Sequence, residues 1–270
     1  YTTGSMPDYF DGTDWAAHQW DVALRSSVLA ARYVECVRTG TPADACRQAY
    51  PIYTGQQDEN EDAVALAAEV DDCRHGKAYI GQDCDAVADK IAADRKYAKG
   101  VVAVAKMPEM IVLCHSPVEA SDPEICAPAD QRLPADMTAA DCYEATKNHD
   151  HETLKICGSA LNARIGDLRF NQINVIEPPQ TFSPWGIMVD SIDPYMGQTI
   201  ATSVNVWAYV TDFAAQGDVD MARFIKGEIS SEEITNGENI KNWSQASSAA
   251  VGGSLMPQMS DGEVAARVAD

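Results

Sequence analysis

Eight cysteines constrain this chain more than any other feature, because they fall as four close pairs: Cys36/Cys46, Cys73/Cys84, Cys114/Cys126 and Cys142/Cys157. An even count permits many pairings, so the number alone does not fix connectivity. Each near pair would nonetheless close a short loop rich in Pro, Gly, Asp or His. In the chain-entropy model a loop of that size stabilises by roughly 2.5–3 kcal/mol. No CxxC occurs, which argues against a zinc ribbon and a thioredoxin-like redox motif. The pattern predicts an exported protein with four local disulfides, secreted, at the cell surface or periplasmic. The alternative is a reduced cytosolic protein with eight buried thiols.

The remaining composition sets outer bounds. The 270 residues suit one large domain or two small ones, and a 46% hydrophobic fraction is ample for a core. Net charge is −21, from 41 acidic against 20 basic residues. Phosphate backbones and anionic membranes both need a basic footprint, so neither is an expected partner. The acidity reads as solubility through self-repulsion, or as adaptation to salty or calcium-bearing surroundings. No apolar run approaches the ~20 residues of a membrane span. The chain opens on Tyr1 without a basic and apolar leader, and it closes on "DGEVAARVAD" without an obvious stop. It therefore reads as a piece of a longer product, its export signal removed.

Periodicity divides the chain. Residues 1–100 read as a helical region with two local disulfides. Apolar residues at helical spacing (Trp15, Val22, Leu29, Tyr33, Val37) predict a helix from Asp14 to Arg38, capped by Thr13 or Asp14 and ended by Gly40. Further helices are predicted from Glu61 to Arg74, and from about Cys84 to Ala98 with Gly100 as terminator. Each is joined to the next through a cysteine-bearing turn. Residues 101–250 read as an α+β region. "VVAVA" (Val101 to Ala105) and "MIVLC" (Met110 to Cys114) have the length of strands. The segment around Cys126, "HSPVEASDPEICAPADQRLPAD", reads as a loop rich in Pro and Asp. Cys142 to Cys157 encloses a short helix and a turn, and a strand follows from about Leu168 to Ile176.

Phe182 to Ile200, "FSPWGIMVDSIDPYMGQTI", then predicts a hairpin whose turn is built from Asp193, Pro194 and Gly197. Its second strand, from Gln198 to about Asn205, carries Thr199, Ala201, Ser203 and Asn205 on one side. Small polar residues on a sheet face suit solvent or the floor of a cleft. After Val206 the period becomes helical, predicting helices over "VNVWAYVTDFAAQ", Val219 to Lys226 and Ser231 to about Ala249. The last is capped by Ser230 or Ser231. Residues 251–270 read as a flexible tail. The fold class is α+β: a disulfide-stapled helical region, then a small mixed or antiparallel sheet with a hairpin, then helices.

"IGDLRFNQINVIEPP" with "SPWGIMVDSIDPYMGQTIATSVNVWAYV" resembles the large secreted zinc-dependent metalloproteases of the metzincin type, in their myxobacterial and related bacterial forms. In that family a strand of the form RYNxIxWV leads to GPSxxDPxTGEIxxA, a helix, and later the zinc motif HExxHxxGxxH. "MIVLCHSPVEASDPEIC" is similar to a cysteine-bearing segment ahead of that strand. The resemblance spans Met110 to Trp243, about half the chain. It departs at the turn, where "DPYMGQTI" lacks the Thr and Glu that flank the family's Gly.

The larger departure is that no HExxH occurs. That motif sets two His on one helix face with a Glu to activate zinc-bound water. The five histidines are His18, His75, His115, His149 and His151, none paired at i, i+4. "HDHE" (His149 to Glu152) could offer two ligands on a strand face, but it reads better as a solvated loop. His115 reads as a hydrogen-bonded structural histidine, and His75 as a residue near a helix C-terminus. The resemblance thus implies the N-terminal, non-catalytic portion of a protease. Its partner would be a downstream or cleaved part that carries the zinc, and this chain would hold no cofactor. The substrate would be an extended peptide laid on the edge strand Trp185, Gly186, Ile187, Met188, Val189, Asp190. The alternative is a catalytically silent extracellular binding or assembly subunit on the same scaffold.

Other chemistries leave weaker traces. "DENED" (Asp58 to Asp62) and the Asp218/Asp220 spacing suggest calcium, without the Gly and terminal Glu of an EF-hand loop; a solvated helix start is the simpler reading. Neither GxSxG, a Walker A loop nor GxGxxG is present. Any of the 41 acids could pair in space for glycoside chemistry.

Overall fold

A computed structural model describes residues 6–177 and 186–238. These form two compact units, residues 7–164 and residues 165–238 with Met6. Trp185, the predicted tail 251–270 and the far part of the predicted helix after Ser231 lie outside the described residues.

The first unit is helical. It contains α1 (Phe10–Arg38), α2 (Ala43–Ala49), α3 (Gln57–Arg74), α4 (Cys84–Arg95), α5 (Lys99–Ala105), α6 (Ala139–Asn148) and α7 (His151–Cys157). All four predicted disulfides are present: Cys36–Cys46, Cys73–Cys84, Cys114–Cys126 and Cys142–Cys157. They close sequence separations of 10, 11, 12 and 15.

The surroundings of two of these cysteines differ from the expected turns and loops. Cys46 does not sit in a turn between helices. It lies inside α2, a helix the sequence reading did not predict, and it is wholly buried. Seven residues, "ADACRQA", are too few to display a helical period, so α2 left no signal. Cys126 does fall in an irregular segment, but not a solvated one. It is buried with Val118 and Ala127, and Val112, Cys114 and Leu161 pack on them. A paired sulfur is apolar, so the disulfide forms the centre of a small core that a Pro- and Asp-rich loop could not otherwise build. The Cys114–Cys126 and Cys142–Cys157 bridges both belong to the first unit, which extends to residue 164 and not only to residue 100.

Thr13 does not cap α1; its hydroxyl lies inside the helix and donates back to the Tyr9 carbonyl at 2.7 Å. Val22 and Leu29 enter the core, whereas Trp15 is 61% exposed. The buried face of α1 is Ala17, Asp21, Val22, Arg25 and Leu29, so two charged residues sit at its centre.

α3 packs against α1, α4 and α5, joined by small residues such as Ala63, Ala67 and Ala88. Val101 to Ala105, expected as a strand, is helix α5. A five-residue apolar run carries no decisive period, and here Val101, Val104 and Ala105 form one buried helical face. α4 ends at Lys96 in the left-handed region (φ 61°), and not at Gly100. Gly100 lies inside α5, where a Cβ would stand 2.1 Å from the Ile52 carbonyl oxygen. Only glycine allows that approach.

Met110 to Cys114, expected as a strand, pairs with no described strand. Asp21 Oδ1 accepts the Met110 and Ile111 amides at 2.7 and 3.1 Å, supplying acceptors that a neighbouring strand would otherwise provide. Arg25, wholly buried, contacts Asp21 Oδ2 at 2.5 Å and pairs with Asp71 Oδ2. It also donates to the carbonyls of Ala105 and Met107 at 3.2 and 3.0 Å. Arg74 reaches the other Asp71 oxygen at 3.0 Å and the Met107 carbonyl at 2.9 Å. One ion network therefore ties α1, α3 and the segment after α5. Further on, Arg132 gathers the carbonyls of Ala127, Asp122 and Pro123 at 2.6–2.9 Å.

The second unit is the sheet. Strands β1 (Gln172–Ile176), β2 (Gly186–Ile192) and β3 (Thr199–Trp207) lie in the order β1-β3-β2. β1 runs parallel to β3, and β2 antiparallel to it. β1 starts later than Leu168 because the chain turns first: Asp167 Oδ1 accepts the Arg169 amide at 3.1 Å and Gly166 has φ 87°. In the hairpin turn Asp193 Oδ1 accepts the Tyr195 amide at 2.8 Å, and the Gly197 amide closes on the Asp193 carbonyl at 2.8 Å. Gly197 has φ 68°, the conformation that calls for glycine there.

α8 (Ala208–Ile225) is one continuous helix where two were expected; Gly217 and Asp218 do not break it. α9 (Ser231–Thr235) carries the predicted cap, a reciprocal Ser230/Glu233 box. It stops at Asn236 and Gly237, the latter at φ 69°, short of the predicted end.

Candidate functional site

Residues 186–190 of the predicted edge strand fall in β2. β2 pairs with β3 on one side only, and no other described strand pairs with it. Gly186, Ile187, Met188, Val189 and Asp190 are all exposed, Met188 to 62%. Alternation puts Ile187, Val189 and Ser191 on one face and Met188 and Asp190 on the other. The Asp190 carboxylate accepts from the Thr202 hydroxyl at 2.8 Å. Asp193, Pro194 and Gly197 form the turn that links β2 to β3. A solvent-facing strand with apolar side chains, unpaired on one side among the described residues, is a template for a further strand.

The face carrying Val189 and Ser191 is hollow. A cavity of about 250 Å³ lies against it. Register sets Val189 opposite Ser203, Ser191 opposite Ala201, and Gln172 beside Ser203. Ala201, Ser203 and Asn205, three of the four small residues assigned to one face from sequence, make its floor. Ile165, Leu168 and Phe170 wall the far side.

Beside the floor, on the neighbouring strand β1, Asn174, only 1% exposed, donates to Ser203 Oγ at 3.1 Å and Asn205 Oδ1 at 2.8 Å. Gln172 anchors the wall, donating to the Asp167 carbonyl at 3.0 Å and accepting the Gly166 amide at 3.2 Å. Asp167 is the one ionisable side chain on the lining. Arg169 binds it through two nitrogens at 2.6–2.9 Å, and this hydrogen bonding brings its pKa down to about 2. Sequence reading missed the wall, because Ile165 to Phe170 resembles the start of a strand until the Asp167 turn is seen.

All five histidines are described, each in its own setting. His75 is the C-cap of α3 and meets Glu109 at 2.7 Å. His115 stacks on Phe10 and meets Asp122 through Nδ1 at 2.8 Å, a structural pairing. His149 ends α6 in the left-handed region and His151 opens α7, so "HDHE" is a turn between helices rather than a strand face. His18 pairs with Asp14 at 3.4 Å. Among the described residues no three His, Cys, Asp or Glu side chains are grouped to hold a metal ion. Asp58 and Glu59 of "DENED" lie in the first turn of α3, where the Glu59 carboxylate accepts from the Thr54 amide at 2.9 Å. Asp220 is buried and accepts from Gln216 at 2.9 Å.

The four disulfides fit a secreted or extracellular protein. No described helix is long and apolar enough to cross a membrane. Comparison with protein-family models, with curated proteins and with solved structures gives no match to this chain.

Proposed function

We propose that this chain is the secreted, non-catalytic N-terminal portion of a zinc metalloprotease of the metzincin type. It supplies the edge hairpin of the substrate cleft and works with a zinc-bearing part that follows it or is cleaved from it. The observation that supports this reading most is β2 itself. It is an exposed antiparallel edge beside a parallel pair, reached through the segments that carry the family resemblance. An extended peptide adds to such an edge through main-chain hydrogen bonds. Zinc and the general base belong to the other part, so no chemical step is assigned to residues of this chain.

The test is isolation of the native secreted product, with intact mass, zinc content and cleavage of an unstructured protein measured together. The expected result is stoichiometric zinc on a longer polypeptide or on a co-purifying chain, with cleavage lost to a chelator and restored by zinc. A mature product that ends at Asp270, stands alone and carries no zinc overturns the proposal.

A second reading, a silent extracellular assembly subunit, draws support from α8. Phe213, Met221, Phe224 and Ile225 are exposed along that helix at 38–78%. Their spacing makes one apolar stripe, the kind of surface that marks a protein contact.

A further inference from the structure

We infer that the cavity beside β2 is a specificity pocket for one long, uncharged side chain with a hydrogen-bond acceptor at its tip, glutamine fitting best, on an extended peptide paired to β2. This rests on the edge-strand reading above and adds to it the class of residue selected.

Reach comes first. A strand added to the free edge lies about 4.8 Å from β2 and sends alternate side chains to each sheet face. Those on the Val189/Ser191 face stand on the side of the sheet that lines the cavity. A volume of about 250 Å³ is enough for one large side chain, equal to roughly eight waters at ~30 Å³ each.

Polarity comes next. Ile165, Leu168, Phe170 and Val189 present carbon to the body of the guest. The floor is different. Asn174 spends its amide N–H groups on Ser203 Oγ and Asn205 Oδ1. That leaves the Ser203 hydroxyl proton and the Asn205 amide N–H groups as donors, beside one further lone pair on each oxygen, a set that a terminal carboxamide matches with both its carbonyl and its NH₂. Among the described residues neither donor group has an acceptor. A guest that ends in a carbonyl satisfies them, whereas a purely apolar guest leaves them desolvated.

Charge decides the rest. Asp167 is committed to Arg169, whose side chain is 67% exposed, so no unpaired charge faces the cavity. A lysine guest finds no counter-ion there. An aspartate or glutamate guest enters the field of a chain with net charge −21.

The experiment uses the full chain and short, capped, Thr/Val-rich fluorescent peptides with one guest position, read by anisotropy. A companion peptide carries N-methyl groups on alternate amides. We expect the glutamine guest to bind about tenfold or more tightly than lysine or aspartate guests. Ser203→Ala should remove the preference for glutamine over leucine, weakening the glutamine peptide and tightening the leucine peptide, whose docking then no longer desolvates a hydroxyl. Ser191→Phe, which fills the cavity from β2, should level all guests. If peptides bind, N-methylation abolishes binding, and the guests are equivalent, the pocket is refuted while the edge stands. If no peptide binds, or N-methylation has no effect, the edge reading fails and the pocket fails with it.

Discussion

The two units solve the problem of stability in opposite ways. The helical unit closes on itself: Leu66, Val70, Val101 and Val104 are fully buried, and four disulfides staple its loops. The sheet unit has no cysteine. It leaves Met188, Val189, Ile192, Met196 and Ile225 more than half exposed, and among its described residues the buried apolar ones are Val175, Ala201, Trp207, Ala208 and Ile229. The three described strands, with β2 unpaired on one side among them, gain little from so small a core. The contrast teaches that the first unit is held by its own core and cross-links, whereas the described part of the second leaves much of its apolar surface in water.

Reduction should break that contrast most sharply. Each loop contributes roughly 2.5–3 kcal/mol, so four together rival the whole stability of an ordinary domain, about 5–15 kcal/mol. A thiol reductant should therefore unfold the helical unit, while amide exchange in β1, β2 and β3 stays within a few fold of its oxidised rate. Far-UV circular dichroism and hydrogen exchange before and after reduction check this. Loss of strand protection in step with the helices would show that the units do not stand apart.

Next in size is Arg25→Met. Removing the guanidinium leaves buried Asp21 without its cation and Asp71 with Arg74 alone. Breaking a buried ion pair in this way costs about 3–5 kcal/mol. Urea denaturation of the oxidised protein measures it. The cost should shrink in an Asp21→Asn, Asp71→Asn background, where no charge is stranded; an equal cost in both backgrounds would assign the arginine to packing alone.

That network also shows what the sequence could and could not convey. Sharp chemical signals were legible: the pairing of near cysteines, the Asp-Pro-Gly turn, the Ser230 cap and the small polar face of β3 all appear where residue type demanded them. Each is local, decided within a few residues. What surrounds a cysteine was less legible than its partner. Cys46 inside α2 and Cys126 in its own small core owe their burial to packing from other segments. The burial of Asp21 and Arg25 was not legible, because an apolar stripe drawn through α1 passes over charged residues whose partners are 46 and 80 or more positions away. Val101 to Ala105 failed for a related reason, since its helical state is set by packing on α3. Half of the candidate site was legible. β2 and the cavity floor follow from alternation, but the wall from Ile165 to Phe170 depends on one carboxylate folding the chain back before β1.

The smallest effect separates the units by sign. Burial raises Asp71 above 3.8, with Arg25 and Arg74 opposing it. Its folded form therefore holds a proton more tightly than the unfolded chain does. The associated stability is present below 3.8 and is lost as pH rises through the raised value. Asp167 behaves oppositely, because its hydrogen bonds from Arg169 lower it from 3.8 to about 2. Its contribution is present above 3.8 and is lost as pH falls towards 2. A carbon-13 carboxyl titration should place the Asp71 midpoint above 3.8 and the Asp167 midpoint below it. Arg169→Ala should bring Asp167 back towards 3.8 and leave Asp71 unmoved. Because the Asp167/Arg169 pair is at the surface, the free energy involved is small and salt-sensitive. Its value lies in the pocket: an Asp167 midpoint unaffected by Arg169→Ala would mean that the carboxylate is uncommitted, and the wall would then offer a charge to a basic guest.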